Sequence, residues 1–222
     1  NYRLAFWKVA GQDLDYRRFF DITTLIALRS ENLFVFADTH EKIVDLIRAG
    51  KVTGLRIDHV DGLRDPAAYL HLLDQAAGDT YIVVEKILES DEVVPGDWVV
   101  EGTTGYDFAV RVNGLFVDPA GEKPCTDIYA GFVGGAVDYE AAVWENKHLV
   151  MREVLAADVH RLVNDLVWVC EQHRQQRDHT RQDLSRAVRE VLAALDVYRT
   201  YVRAGPSRPS AIDIARVEAA VD

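Results

Sequence analysis

The sequence predicts an α/β fold that gives way near residue 138 to an all-helical part. Up to that point short β-branched runs alternate with helical patterns, as successive βα units do. Two of the runs, over residues 52–57 and 80–85, lead to a carboxylate, Asp58 and Glu85, followed by a polar turn. From Tyr139 onward the apolar residues recur instead at three- and four-residue steps, the period of amphipathic helices.

Taken in order, residues 15–21 (Asp15-Tyr16-Arg17-Arg18-Phe19-Phe20-Asp21) interleave arginines with aromatics. A helix is expected over 38–49, with Ile43, Val44, Leu46 and Ile47 as its apolar stripe and Gly50 as its stop. The strand over 52–57 follows, and Asp65-Pro66 then opens a helix with proline in its first turn, running to Gly78. The strand over 80–85 comes next, with a third expected over 98–100. Gly102-Thr103-Thr104-Gly105-Tyr106-Asp107-Phe108 reads as a turn-rich loop entering another helix. Beyond 139, Val143, Val150, Val154, Leu155, Leu162, Val163, Leu166, Val167 and Cys170 predict one long helix. The polar run 171–178 separates it from a second helix carrying Leu184, Val188, Val191, Leu192 and Leu195. Pro206 and Pro209 bracket a loop before a third helix over 212–221. The domains so read are 1–138 and 139–222.

Composition narrows the function. With 49% hydrophobic residues the 222-residue chain can bury a core. Its net charge of −11 argues against nucleic acid, which needs a basic face, but suits a neutral polyol. Cys125 and Cys170 form no CxxC pair and read as free thiols in a reducing cytoplasm. The seven histidines are scattered, and neither a metal nor another cofactor is expected. No apolar run approaches membrane-spanning length, so no membrane partner is expected. The chain opens Asn1-Tyr2-Arg3 without methionine and stops in a helical pattern at Asp222, which reads as a piece of a longer protein.

The chemistry is expected at Asp58 and Glu85. If their runs are parallel strands joined by a helix, both carboxylates emerge at one C-terminal sheet edge. A carboxylate pair there is the equipment of sugar transfer with retention, one group as nucleophile and one as proton donor. Arg56 stands two residues before Asp58 on the same strand face, and a guanidinium favours the charged carboxylate a nucleophile needs. A structural Arg–Asp pair capping the loop fits the spacing equally well. Glu85 ends an apolar run, a setting that suits a proton donor, and a solvated strand-terminal glutamate is the plainer alternative. Lys86 points to the opposite face from Glu85. His59 and Asp61 read as contacts to sugar hydroxyls or as a solvated loop. Arg17, Arg18 and Phe19 fit a sugar subsite by stacking and hydrogen bonding, or ordinary surface packing. Thr103, Thr104, Tyr106 and Asp107 read as hydroxyl contacts or as turn formers.

Together these blocks resemble the maltooligosyltrehalose synthase family of the α-amylase superfamily. The resemblance rests on Tyr16-Arg-Arg-Phe-Phe-Asp-Ile22, Gly54-Leu-Arg-Ile-Asp-His-Val-Asp-Gly-Leu63 and Glu85-Lys-Ile-Leu88. Gly102-Thr-Thr-Gly-Tyr-Asp-Phe108 and Val197-Tyr-Arg-Thr-Tyr-Val202 extend it, with Val60 where the family usually has proline. It implies Asp58 as nucleophile, Glu85 as acid/base and Arg56 as the nucleophile's partner. It also implies substrate contacts from His59, Asp61, Lys86, Arg17, Arg18, Phe19, Tyr106 and Asp107. The implied fold is the middle portion of a (β/α)8 TIM barrel followed by a helical insertion, with a third catalytic carboxylate beyond Asp222. The implied substrate is a maltooligosaccharide and the implied reaction an isomerisation. The chain alone is then expected to be inactive and to self-associate through unpaired barrel strands.

Overall fold

The computed structural model describes residues 3–89, 91–203, 205 and 208–222. Asn1, Tyr2 and Pro206, which figured in the sequence reading, lie outside the described residues. In chain order the elements are α1 (Ala10–Asp13), β1 (Arg18–Phe19), β2 (Ile22–Ile26), α2 (Leu33–Arg48), β3 (Gly54–Ile57), α3 (Pro66–Ala77) and β4 (Tyr81–Val84). There follow β5 (Gly102–Thr103), α4 (Tyr106–Gly114), α5 (Glu122–Val133), α6 (Tyr139–Glu153), α7 (Ala156–Gln172), α8 (Arg181–Ala194) and α9 (Ala211–Val221). The fold is thus mixed and mainly helical, with two small sheets among the described residues, and is not a full barrel. It groups into two compact units: residues 28–135, and residues 1–27 together with 136–222.

In the unit of 28–135, α2 starts more than a turn before the expected Asp38. The Asn32 side chain accepts from the Phe34 and Val35 N–H groups, and that cap turns an apolar run that could pass for a strand into a first helical turn. Its other end stops where expected. Gly50 has φ +66°, its N–H donates to Ile47 O, and the Lys51 N–H donates to Leu46 O, the paired bonds of a Schellman stop. Asp65 caps α3 through the Ala68 N–H with Pro66 in the first turn, as its sequence indicates. Leu70, Leu73 and Tyr69 of α3 are buried with Ile82 and Val84 of β4.

Strands β3 and β4 are parallel, with Ile57 opposite Val84. Strand β5 extends the sheet on the β4 side, Thr103 opposite Val84. The third strand is therefore not at 98–100. Glu101 Oε2 accepts the Ile82 N–H at 2.5 Å, so a side chain occupies the ladder position that residue 100 or its neighbours would have filled. Pairing resumes when the Glu101 N–H donates to Ile82 O.

His40 on α2 sits against α3. Its Nδ1 lies 3.0 Å from Phe36 O, which can only accept, so Nδ1 carries the proton and Nε2 accepts from the Tyr69 hydroxyl at 2.9 Å. Burial lowers the His40 pKa, partly offset by the Phe36 carbonyl, and pushes Tyr69 up to about 12. Because the folded value of His40 lies below the unfolded value of 6.5, the unfolded chain takes up its proton first. Stability conferred by neutral His40 is complete above 6.5 and is lost as pH falls from there towards the folded value. Urea midpoints measured across this window should fall more steeply for the native sequence than for His40→Gln.

The other unit holds a helical core of Met151, Val159, Val163, Leu184 and Ala193, with Leu166, Val167, Cys170, Val188 and Leu192 packed around it. The helix expected to run unbroken from 139 to Cys170 is two helices, α6 and α7, parted at Val154-Leu155. The carbonyls freed by the break are taken from far along the chain: Gln12 Nε2 donates to Arg152 O and an Arg18 guanidinium nitrogen donates to Val154 O. Lys147 Nζ donates to both Ala193 O and Leu195 O, closing the C-terminal end of α8 with a cation. Thr180 and Ser210 cap α8 and α9.

Candidate active site

Parallel pairing of β3 and β4 puts the residues after Ile57 and Val84 at the same sheet edge, and these are Asp58 and Glu85. The Glu85 N–H donates to Ile57 O at 2.7 Å, continuing the ladder by one bond. Glu85 Oε2 then reaches across and accepts the His59 N–H, also at 2.7 Å. One carboxylate is thus bonded to the backbone immediately next to the other.

His59 itself has φ +48°, a left-handed conformation uncommon for a non-glycine residue. The turn that follows, Val60–Gly62, is a tight 3-10 turn with Val60 fully buried. A Cβ at Gly62 would lie 2.5 Å from His59 Nδ1, so any side chain there would require the imidazole to move. The loop after Asp58 therefore holds its shape through a strained residue, a buried valine and a glycine against an imidazole.

Arg56 and Asp58 share a face, and a guanidinium nitrogen lies 2.8 Å from Asp58 Oδ1. Both side chains are more than half exposed, 53% and 61%. A pair so exposed stabilises a fold by only about 0–1 kcal/mol.

Lys86 lies behind the edge, on the face opposite Glu85. Its side chain is fully buried, with Nζ 2.7 Å from Glu92 Oε1 and 3.4 Å from Asp61 Oδ2. Asp61 is itself buried. Lys86 and Asp61, read from the sequence as sugar contacts, are thus engaged with each other inside the fold, and their burial leaves little surface for a substrate.

Residues 102–107 run beside β4 at the same edge, with the Thr104 N–H donating to Val84 O. The Thr103 hydroxyl donates to Asp107 Oδ1 and holds that carboxyl below the usual range. Tyr106, at the start of α4, is exposed. The Thr104 hydroxyl is buried without a hydrogen-bond partner. Arg17, Arg18 and Phe19 belong to the other compact unit. There Arg17 is exposed, and Arg18 donates to Asp21 O and Val154 O. A cavity of about 850 Å³ in that unit is lined by His148, His160, Arg181 and Arg189 and contains none of the candidate residues.

One residue escaped the sequence reading. Glu92 was not singled out, although a lysine directed into the sheet interior calls for buried counter-charges and acidic residues follow it closely in the chain. Among the described residues no cluster of three or more His, Cys, Asp or Glu could hold a metal, and no helix is long and apolar enough to cross a membrane.

The edge geometry can be set beside known proteins. No family model matches the chain. A curated protein of Mycobacterium tuberculosis, "Putative maltooligosyl trehalose synthase", is 39% identical over 169 residues, 75% of this chain. The maltooligosyltrehalose synthase of Arthrobacter ramosus superposes with a TM-score of 0.85 at 40% identity over 99% of the chain. The resemblance is to maltooligosyltrehalose synthases. A Sulfolobus tokodaii structure described as a hypothetical maltooligosyl trehalose synthase superposes with a TM-score of 0.74 at 33% identity over 93% of the chain. The chain spans 21% of the M. tuberculosis protein, 27% of the A. ramosus chain and 26% of the S. tokodaii chain, and so corresponds to part of a longer enzyme.

Proposed function

We propose that the longer maltooligosyltrehalose synthase of which this chain is a part converts the reducing-end α-1,4 linkage of maltooligosaccharides to an α,α-1,1 linkage. The observation that carries the reading is Glu85 Oε2 on the His59 N–H, which sets an acid beside Asp58 at one sheet edge. Asp58 attacks the anomeric carbon while Glu85 protonates the departing glucose. That glucose turns in place, and its own anomeric hydroxyl attacks the glucosyl-enzyme with Glu85 as base. Two inversions give retention. Water must be kept from the intermediate, or hydrolysis wins.

Arg56 orients Asp58 in this scheme, and His59, Tyr106 and Asp107 contact the sugar chain. Residues 1–138 form part of a (β/α)8 barrel and 139–222 a helical insertion. The third carboxylate of the superfamily lies on a later strand, so the 222 residues alone are inactive, self-associate through the open edges of their sheet and need no cofactor. The parent enzyme acts in the cytoplasm. Incubating it with maltopentaose tests the reading. The expected outcome is loss of reducing ends with a non-reducing product and little free glucose. Accumulating glucose and shorter maltooligosaccharides would indicate a hydrolase, conserved reducing ends with redistributed chain lengths a glucanotransferase, and binding without turnover a glucan-binding module.

A further inference from the structure

We infer that Lys86 is a positioning residue, its buried ammonium holding the Asp58 loop at the height at which Asp58 meets Glu85. The inference rests on the functional reading above. Adjacent strand residues point to opposite faces, and Glu85-Lys86 uses both faces on the same loop. In front, Glu85 accepts the His59 N–H at 2.7 Å. Behind, Lys86 Nζ is 3.4 Å from Asp61 Oδ2, in the turn that continues from His59. Between the two, the Glu85 N–H donates to Ile57 O. The five residues from Ile57 to Asp61 are therefore gripped at three points by one dipeptide, and Asp58 lies inside the grip.

Glu92 completes the anchor. Its Oε1 is 2.7 Å from Lys86 Nζ, and its Oε2 accepts the Glu89 N–H at 3.2 Å. The segment after β4 is thus folded back so that the ammonium has two carboxylates. The cluster is enclosed, with Lys86 at 0%, Asp61 at 9% and Glu92 at 10% side-chain exposure. A lysine so enclosed fixes geometry firmly, because without its ammonium two carboxylates would be left buried side by side with no opposite charge between them.

The test is made in the longer enzyme with Lys86→Met, Lys86→Arg and Glu92→Gln, following kcat and KM on maltopentaose and the hydrogen exchange of the His59 amide. Misplacing a reacting group by about 1 Å costs on the order of 100-fold. Lys86→Met is expected to lower kcat by about 10- to 100-fold, with KM little changed and faster exchange at the His59 amide. Lys86→Arg should recover most of the loss, and Glu92→Gln should show a smaller loss of the same kind. A folded Lys86→Met enzyme with native kcat and native His59 exchange overturns the inference, as does a rise in KM alone, which marks a sugar contact. If Lys86→Met does not fold, native kcat and exchange in Glu92→Gln overturn it. Failure of the functional reading is separate: the native enzyme would then form no trehalosyl product, while His59 exchange would still report whether Lys86 holds the loop.

Discussion

Asp58→Asn in the longer enzyme is expected to abolish trehalosyl product, with kcat reduced by a factor on the order of 10⁴ or more. Maltooligosaccharide binding should stay near native. The amide keeps the shape of the carboxylate and can still accept from Arg56, which lies 2.8 Å from Oδ1, but it cannot form the glucosyl ester. Side chains as exposed as these also contribute little to stability, so the variant should fold and the loss should belong to chemistry. Kinetics on maltopentaose, with binding measured calorimetrically on the same preparation, check both halves. Near-native turnover would remove Asp58 from the mechanism.

Glu85→Gln is expected to lower turnover of maltooligosaccharides by about 10²- to 10⁴-fold, the contribution of a positioned proton donor. Glutamine keeps an oxygen that can accept the His59 N–H, so the loop geometry at 2.7 Å should survive. It has no proton to give the departing glucose. A glucosyl donor with a fluoride leaving group does not need that proton, so its first step should be largely spared. Equal losses on both substrates would show that Glu85 serves the loop's structure and not proton transfer.

Much of the site edge was legible because its signals are local. Period-two alternation placed Arg56 beside Asp58 and turned Lys86 away from Glu85, and the structure has both arrangements. Asp65-Pro66 and Gly50 marked helix ends through backbone requirements that only a few residue types meet. The misses depended on distant partners. Val154 and Leu155 fit a helix on their own, and the break there is matched by Gln12 and Arg18 from the other end of the sequence. The third strand shifted because Glu101 offered a side-chain acceptor to the Ile82 N–H. The pairing of Lys86 with Asp61 in the interior also depends on residues that only the fold brings together.

The mechanism is tested most directly by identifying the residue that becomes glucosylated when the Glu85→Gln longer enzyme meets a maltosyl fluoride. Without its general base that enzyme should form the intermediate and release it slowly, so peptide mass spectrometry can locate the sugar. The account predicts a single glycosyl adduct on Asp58, absent when Asp58→Asn is added. An adduct on any other residue, or one formed at the same rate with Asp58→Asn present, would contradict it.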